Sequence, residues 1–312
     1  MTSIIFYNNQ NMKTIIAHPW FDYLADEIVF RNQWKIVKAE VNFSTFKDGW
    51  PNLHIEDVKN TIEHKEVTYV WDFSDPSSLF LNYAMIRWIL DYYAEKVRVI
   101  VPYFPVWTME RISKKWEIAT ASYFADILSH LPAWRTWKTS IHTFDIHALG
   151  ERFLFDSFKV NLELHSAMHL LPLTTDSVIA FPDDGAHKRF KESFPDNDKI
   201  ICVKVRDRDK RKITIKEWNP EGRDVILVDD LIQTWGTLAE AAACLKEAWA
   251  KSVKAYSAHW VFPNRAHIWL AGKLDELIVT DSIPVNYLRS KDVNNMKVLS
   301  IKTLVEKIIF NS

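Results

Sequence analysis

The fold is decided by one stretch of the sequence, which reads Val225-Ile226-Leu227-Val228-Asp229-Asp230-Leu231-Ile232-Gln233-Thr234-Trp235-Gly236-Thr237-Leu238. Four apolar residues lead into two carboxylates, Asp229 and Asp230, as in a buried parallel strand that ends at a polar site. A short polar loop follows, and a helix is predicted to begin near Leu238. This strand–loop–helix order is typical of an α/β domain whose ligands lie beyond the carboxyl ends of its strands.

The same alternation of strand and helix runs along the whole chain of 312 residues. In the N-terminal half, apolar runs predict strands at 67–71, 97–101 and 141–144, and helical spacing predicts helices at 79–93 and 118–131. In the C-terminal half, strands are predicted at 177–181, 199–203, 224–228, 253–258 and 276–280, with helices at 238–249 and 301–310. Two such sets predict two tandem α/β domains, residues 1–155 and 156–312, each a mainly parallel sheet flanked by helices. The last helix is left open to pack on either domain.

The composition excludes several classes of protein. Charged residues make up 25% and hydrophobic residues 48% of the chain, which is a globular composition. A net charge of −1 gives no overall bias toward nucleic acid or toward an anionic membrane. No apolar run approaches the roughly 18 residues that a membrane helix needs. Two cysteines do not form a disulfide framework, so a reducing cytoplasm is the expected location.

The polar loop of the opening stretch has the chemistry of a phosphate site. Its backbone amides and the N-terminus of the following helix would bind an anion, and Thr234 and Thr237 add hydroxyl donors around Trp235 and Gly236. The two aspartates would face vicinal hydroxyls, with or without a bridging divalent metal. Phosphate together with a diol indicates a ribose phosphate. An acidic helix cap without a ligand remains the alternative, and two acids followed by Thr-x-Gly-Thr make it the less favoured one.

The stretch resembles the phosphoribosyl-binding loop of type I phosphoribosyltransferases and of phosphoribosyl pyrophosphate synthetases. Further segments resemble the synthetases alone, and specifically their plant-type second class. These segments are 46–52 (FKDGWPN), 73–76 (FSDP), 102–106 (PYFPV), 108–111 (TMER), 118–121 (IATA), 144–149 (FDIHAL), 180–186 (AFPDDGA) and 205–206 (VR). The resemblance implies two tandem type I phosphoribosyltransferase-like domains in a chain that assembles as a homo-oligomer.

The reaction implied by the resemblance transfers the pyrophosphoryl group of ATP to the C1 hydroxyl of ribose 5-phosphate. Its products are phosphoribosyl pyrophosphate and AMP, and its cofactor is Mg²⁺. Two alternatives stay open: a catalytically inactive regulatory homologue, and a phosphoribosyltransferase that consumes the product. A transferase needs a base-binding hood and usually has one domain. The second domain, which carries motifs of its own, disfavours this alternative.

The resemblance also assigns metal-binding and catalytic residues. His147 and Asp183 match a histidine and an aspartate that serve the magnesium bound to ATP, although Mg²⁺ prefers oxygen ligands. A catalytic lysine is implied within the charged run 206–212, and Lys210, next to Arg211, is the predicted one. The alternatives are a buried structural histidine at 147 and a solvated charged hairpin at 206–212.

Two further segments are predicted to bind ATP. Arg111 follows a predicted strand, and a mobile loop that carries it could close over the polyphosphate. Phe46, Asp48 and Trp50 lie in one predicted turn, where an aromatic ring can stack on adenine and a polar group can bind its edge. In the family's first class the matching loop contacts the ATP of a neighbouring subunit. Packing of Phe46 in the core is the alternative.

The balance of glycine and tryptophan is unusual. The chain has only 6 Gly and as many as 14 Trp, whereas an average composition would give about 22 Gly in this length. Tryptophan stands where the family has glycine at 107, 218, 235, 249 and 260, and we place Trp116 and Trp137 in the same set. Trp50 belongs to the family motif and lies outside this set.

Two hypotheses explain these tryptophans. The chain could be an inactive homologue whose ligand loops have decayed, which should scatter different residue types over the lost positions. Alternatively, the source reads UGA as glycine and the codons were translated as tryptophan, which explains one recurring replacement beside intact aspartates. The second hypothesis is favoured, and it predicts UGA codons at the five positions and UGG at Trp50.

Overall fold

The computed structural model describes residues 12–73, 76–106, 109, 111–131, 138–207, 210–217, 219–232 and 235–311. The described residues form two compact units. Unit 1 runs up to His165 and resumes at Lys302, and unit 2 comprises Ser166–Ile301. The division falls after His165, and not after residue 155, because a strand at 160–165 completes the sheet of unit 1.

Unit 1 contains a parallel sheet of six strands and a separate hairpin. Its elements are β1 (Lys13–Ala17), α1 (Asp22–Arg31), β2 (Ile36–Lys38), β3 (Val41–Thr45), β4 (Pro51–Ile55), α2 (Val58–Thr61), β5 (Glu66–Val70), α3 (Leu79–Asp91), β6 (Lys96–Val101), α4 (Thr120–Ser129), β7 (Thr139–Phe144) and β8 (Val160–His165). The strand order is β2-β1-β5-β6-β7-β8, with every pair parallel, and β3 pairs with β4 as an antiparallel hairpin. The central strands are buried along nearly their full length, as parallel strands covered by helices require.

Unit 2 contains a sheet of seven strands. Its elements are β9 (Val178–Phe181), α5 (Asp184–Phe190), β10 (Lys199–Asp207), β11 (Lys210–Glu217), β12 (Asp224–Ile232), α6 (Trp235–Glu247), β13 (Ser252–Trp260), α7 (Ala266–Ala271), β14 (Glu276–Thr280), α8 (Asn286–Arg289) and β15 (Met296–Leu299). The strand order is β11-β10-β9-β12-β13-β14-β15, and β10 with β11 is the antiparallel pair. Mainly parallel sheets flanked by helices in both units confirm the predicted fold class.

The last helix of the chain, α9 (Lys302–Phe310), belongs to unit 1. The ammonium of Lys13 on β1 donates to the carbonyl oxygen of Ile309 (2.9 Å), and the amide of Asn32 donates to Glu306 (2.6 Å). Lys302 forms an ion pair with Glu27 of α1. Because α9 returns to the first sheet, unit 1 is built from two separate stretches of the chain.

Strand β12 and helix α6 share one core. Val225 and Leu227 pack in the same buried cluster as Leu238 and Ala242 of α6. Ile232 at the end of the strand packs in the same cluster, and Asp229 and Asp230 lie between these buried residues. In the described part of the chain, no helix combines the length and apolar character needed to cross a membrane.

At the C-terminus of α6, Trp249 adopts a left-handed backbone conformation that is typical of glycine. The N–H of Ala250 donates to the carbonyl of Leu245 (3.1 Å), and the N–H of Trp249 donates to that of Lys246 (3.1 Å). This pair of bonds is the Schellman motif, in which the residue after the cap takes left-handed φ and ψ and is usually glycine. Trp249 has φ +63° and is 78% exposed. Trp116 is also left-handed, with φ +70°.

Replacing Trp249 by glycine is therefore expected to raise the free energy of unfolding. A residue with a Cβ pays about 1–2 kcal/mol for a left-handed backbone, and the exposed indole contributes little packing, so the gain should be about 1 kcal/mol. Denaturant unfolding of the full chain measures it. Trp249→Ala is the matched control, because it removes the indole and keeps the Cβ. A gain with alanine equal to that with glycine would contradict the backbone explanation.

Candidate functional site

The strand order of unit 2 places a ligand site between β9 and β12. The chain passes from β9 to β10 on one side and returns with β12 on the other side, so the order reverses at this pair. In open parallel sheets, ligands bind at the carboxyl ends of the strands where the order reverses. Asp183 follows the end of β9, and Asp229 and Asp230 are the sixth and seventh of the nine residues of β12.

The two aspartates of β12 are in different environments. The backbone N–H of Asp230 donates to Oδ1 of Asp229 (2.9 Å), and Asp229 is partly exposed. The side chain of Asp230 is only 5% exposed, and its Oδ2 accepts from Nη1 of Arg189 on α5 at 2.7 Å. Asp229 is thus the more exposed of the two residues, whereas the carboxylate of Asp230 is engaged in an ion pair with α5.

The electrostatics of Asp229 reflect this crowding. Desolvation, together with the negative charges of Asp230 and Asp183, raises the pKa of the Asp229 carboxyl well above its ordinary value. Asp183 therefore lies close enough to Asp229 for their charges to interact. Carboxylates that repel one another are stabilised in the charged form by a cation or by donors of a ligand.

Asp183 is held by the first turn of α5. Its Oδ1 accepts from the backbone N–H of Ala186 (3.0 Å), which caps the helix. A Cβ added at Gly185 would meet the same oxygen at 3.1 Å, so glycine at this position gives the capping carboxylate its room. Helix α5 thus positions two charged side chains of the site. Asp183 is bound by its first turn, and Arg189 lies in its last turn.

The predicted phosphate turn lies immediately after β12. The strand continues to Ile232, because Leu231 and Ile232 pair with His259 and Trp260 of β13. Helix α6 begins at Trp235, earlier than the predicted start near Leu238, and Gly236 and Thr237 lie in its first turn. Thr234 lies outside the described residues. The first turn of this 13-residue helix presents the backbone N–H groups that a phosphate site needs.

The predicted catalytic lysine lies on the antiparallel hairpin of unit 2. Lys210 pairs with Asp207 and Arg211 pairs with Arg206 in the β10–β11 ladder. The charged run therefore forms a β-hairpin, whose residues 208 and 209 lie outside the described part. The side-chain roles of Lys210 and Arg211 stay a prediction.

The predicted adenine-binding residues lie at the tip of the β3–β4 hairpin in unit 1. The N–H of Phe46 donates to the carbonyl of Trp50 (2.8 Å), and that of Gly49, at φ +88°, donates to the carbonyl of Phe46 (2.9 Å). Phe46 is 55% and Trp50 58% exposed, so Phe46 is not a core residue. Oδ1 of Asp48 accepts from the N–H of Trp50 (3.3 Å). The hairpin tip presents two aromatic rings and a carboxylate to solvent.

The hairpin also borders a cavity of about 470 Å³ at the carboxyl ends of β1 and β5. Asp48 and Trp50 line one side, and the buried Asp72 and His18 line the floor. The edge of the Trp50 ring meets Phe80 at the start of α3, with centroids 5.0 Å apart. This cavity has the size and the mixed polar and aromatic lining of a small-molecule site.

The other predicted residues of unit 1 are exposed. Arg111 lies in the loop between β6 and α4, and His147 follows β7, so neither is a buried structural residue. Both have side-chain or electrostatic partners in the structure. Among the described residues, no three His, Cys, Asp or Glu side chains converge as a ready-made metal site.

The structure adds Arg189 to the residues predicted from the sequence. Its partner Asp230 is 41 residues away, so only the packing of α5 against β12 brings them together. The one sequence signal is that Arg189 lies six residues after Asp183, in the short helix Asp184–Phe190 that Asp183 caps. The structure also shows a feature of Trp260 that the sequence does not. Its indole N–H is buried and makes no hydrogen bond within the described structure. Trp107, Trp137 and Trp218 lie outside the described residues.

An acidic pair near the strand ends of such a sheet, followed by a helix N-terminus, places the chain among the α/β proteins whose ligand site lies at the carboxyl ends of their strands. Comparison with known proteins is more specific. The model of a family described as "Phosphoribosyl synthetase-associated domain" matches residues 191–311. The chain is 37% identical to ribose-phosphate pyrophosphokinase 3, chloroplastic, of Oryza sativa subsp. japonica, over 89% of this chain and 71% of that protein.

A bacterial relative and a solved structure extend the likeness over nearly the whole chain. The ribose-phosphate pyrophosphokinase of Wolinella succinogenes is 30% identical over 94% of this chain and 92% of its own length. The crystal structure of phosphoribosylpyrophosphate synthetase from Mycobacterium smegmatis superposes with a TM-score of 0.77 at 22% identity, covering 96% and 97% of the two chains. The chain belongs to the ribose-phosphate pyrophosphokinase family.

Proposed function

We propose that the protein is a ribose-phosphate diphosphokinase, which makes phosphoribosyl pyrophosphate and AMP from ribose 5-phosphate and ATP. The observation that carries the proposal is the partly exposed Asp229 near the carboxyl end of β12, six residues before α6 begins, in a chain of this family. In this site the 5-phosphate binds the turn formed by Thr234, Trp235, Gly236 and Thr237. The hydroxyls of the ribose ring donate to the acidic pair Asp229 and Asp230.

In the transfer, the C1 hydroxyl oxygen of ribose 5-phosphate bonds to the β-phosphorus of ATP. The bond from that phosphorus to the oxygen it shares with the α-phosphate breaks, AMP leaves with this oxygen, and the hydroxyl proton is lost. Such a reaction depends on positioning and on neutralising phosphate charge. Arg111, Lys210 and Arg211 are proposed to supply positive charge to the polyphosphate. Phe46, Asp48 and Trp50 are proposed to bind adenine.

The residues of unit 2 fit a hard divalent cation. Asp183 and Asp229 are oxygen donors whose charges interact, and Mg²⁺ is usually held by one or two carboxylates together with substrate phosphates. When bound, Mg²⁺ would neutralise charge on the ATP polyphosphate. Asp183 is the proposed ligand in unit 2 and the exposed His147 the proposed one in unit 1. Neither Cys202 nor Cys244 forms a disulfide bond in the described structure, which suits a reducing compartment such as the cytoplasm. A homo-oligomer is proposed from the family resemblance.

An assay of the purified full chain tests the proposal. With ATP, ribose 5-phosphate and Mg²⁺, the protein should release AMP and phosphoribosyl pyrophosphate in equal amounts, and AMP should not form when ribose 5-phosphate is left out. Release of ADP, or AMP without the sugar product, would contradict the proposal. The chain should be assayed as written and with Trp235→Gly.

A catalytically inactive regulatory homologue is the second candidate function. Trp235 favours it, because the phosphate turn of the family has glycine there. If neither form of the chain makes the product while both bind ribose 5-phosphate, this second candidate replaces the first. A phosphoribosyltransferase is disfavoured, because unit 1 carries a full parallel sheet of its own where a transferase needs only one such domain.

A further inference from the structure

The cavity of about 470 Å³ in unit 1 has a wall of aromatic rings. Trp20, Trp50 and Phe80 all line it, and these three residues are 46%, 58% and 54% exposed. The edge-to-face contact between Trp50 and Phe80 joins the tip of the β3–β4 hairpin to the start of α3. The faces of such rings attract cations, because the ring quadrupole places negative charge on them.

The charges that line the same cavity are mainly negative. The carboxylates of Asp48 and Asp72 line it, and its described lining residues include neither lysine nor arginine. The basic group among them is the imidazole of His18, whose Nδ1 lies 3.9 Å from Oδ2 of Asp72, beyond hydrogen-bonding distance. The cavity is therefore expected to repel a phosphate-bearing ligand and to attract a positively charged one.

Asp72 is held in a fixed position behind the end of β5. Its side chain is only 2% exposed. Its backbone carbonyl accepts from the hydroxyl of Ser78 (2.9 Å) and from the side-chain amide of Asn82 on α3 (3.4 Å). A charge with so little surrounding water is screened less than an exposed one. The cavity thus combines a fixed negative charge with an aromatic wall.

We propose that this cavity binds an organic ammonium ion. Asp72 attracts the positive charge, and the rings of Trp20, Trp50 and Phe80 contact the groups bonded to the ammonium nitrogen. Aromatic walls of this kind are what proteins use to recognise quaternary ammonium ligands. A hard metal ion fits less well, because the rings supply no oxygen ligands. The ligand is neither ATP nor ribose 5-phosphate, so the proposal goes beyond the proposed function.

Ligand-observed NMR titrations of the full chain test the proposal. The probes are choline, ethanolamine and the uncharged isostere of choline in which a tert-butyl group replaces the trimethylammonium group. Asp48 and Trp50 are also proposed to bind adenine, so nucleotide is left out. Choline or ethanolamine should bind at least about tenfold more tightly than the isostere. The tighter of the two amines shows whether the site takes a quaternary or a primary ammonium.

Substitutions locate the binding in the cavity. Asp72→Asn should raise the dissociation constant of the tighter amine by about tenfold, because it removes the charge and keeps the shape. Trp50→Leu should raise it by about fivefold, because it removes one ring and leaves the buried carboxylate in place. Asp126→Asn is the matched control, since Asp126 on α4 lines a neighbouring apolar cavity and not this one. It should stay within about twofold of the parent, as expected for a solvent-screened charge.

Three results would overturn the proposal. The first is that neither amine binds, or that the uncharged isostere binds equally well. The second is an unchanged dissociation constant in Trp50→Leu, an exposed position that can be tested even if Asp72→Asn does not fold. The third is an equal loss in Asp126→Asn, which would mean that general surface charge attracts the amine. None of these titrations measures AMP release, so failure of the proposed function would not affect them.

Discussion

Trp235→Gly is expected to make phosphoribosyl pyrophosphate at least about a hundredfold faster than the chain with tryptophan at this position. Position 235 is the first residue of α6 and the second residue of the turn that is proposed to hold the 5-phosphate. A phosphate turn works through backbone N–H groups that come within hydrogen-bonding distance of the anion, and glycine allows that approach. Tryptophan has a Cβ and a large side chain that glycine lacks, so we expect it to hinder this approach.

The measurement is AMP release by both chains under identical conditions, with Trp249→Gly as the matched control. Trp249 is at the opposite end of the same helix, so its change should alter stability and leave the rate unchanged. The codons give an independent check, since UGA is expected at positions 107, 218, 235, 249 and 260. A UGG codon at 235, or equal rates for the two chains, would leave the glycine hypothesis without support.

Asp229→Asn is expected to lower kcat/KM for ribose 5-phosphate by about a hundredfold or more. The substitution keeps the shape of the side chain but replaces a charged acceptor by a neutral amide, so the ribose hydroxyls lose a charge-assisted hydrogen bond. The KM for ATP should change much less, because the proposed adenine contacts lie in unit 1. Steady-state kinetics, in whichever position-235 form is the more active, measures both constants.

Asp224→Asn is the control for that experiment. Asp224 lies on the same strand at its amino end, where it accepts from Lys251 (2.9 Å) and Ser252 (2.5 Å). Its change should leave both kinetic constants near the parental values. If Asp224→Asn lowers kcat/KM as much as Asp229→Asn does, the loss reflects damage to the strand, and the role assigned to Asp229 is wrong.

The sequence predicted the sheets well where the strands are apolar on both faces. Residues 67–70 of β5, 97–101 of β6 and 225–228 of β12 are all buried and mostly apolar or aromatic, so the position of these strands follows from burial. Strand β8 was missed because it is an edge strand that alternates Val160, Asn161, Leu162 and Glu163. The division between the units moved to His165 as a consequence.

The site was predictable where it is local in sequence. Asp229, Asp230 and the turn after them are a continuous segment, so their chemistry can be deduced from spacing. Arg189 was missed because its partner is far along the chain and its segment reads as an ordinary charged helix. The sequence comparison places Trp249 where the family has glycine, but the left-handed backbone at this residue and the hydrogen bonds that impose it are visible only in the structure.

The return of α9 to the first sheet has a consequence for folding during synthesis. The ribosome delivers every strand of unit 2 before it delivers residues 302–310, which cover part of unit 1. The contacts of α9 with Lys13, Asn32 and Glu27 therefore cannot form until after all strands of the second sheet have been synthesised. Unit 1 begins first and is completed last. During that interval the apolar face that α9 covers is exposed, and we expect the nascent chain to need protection there.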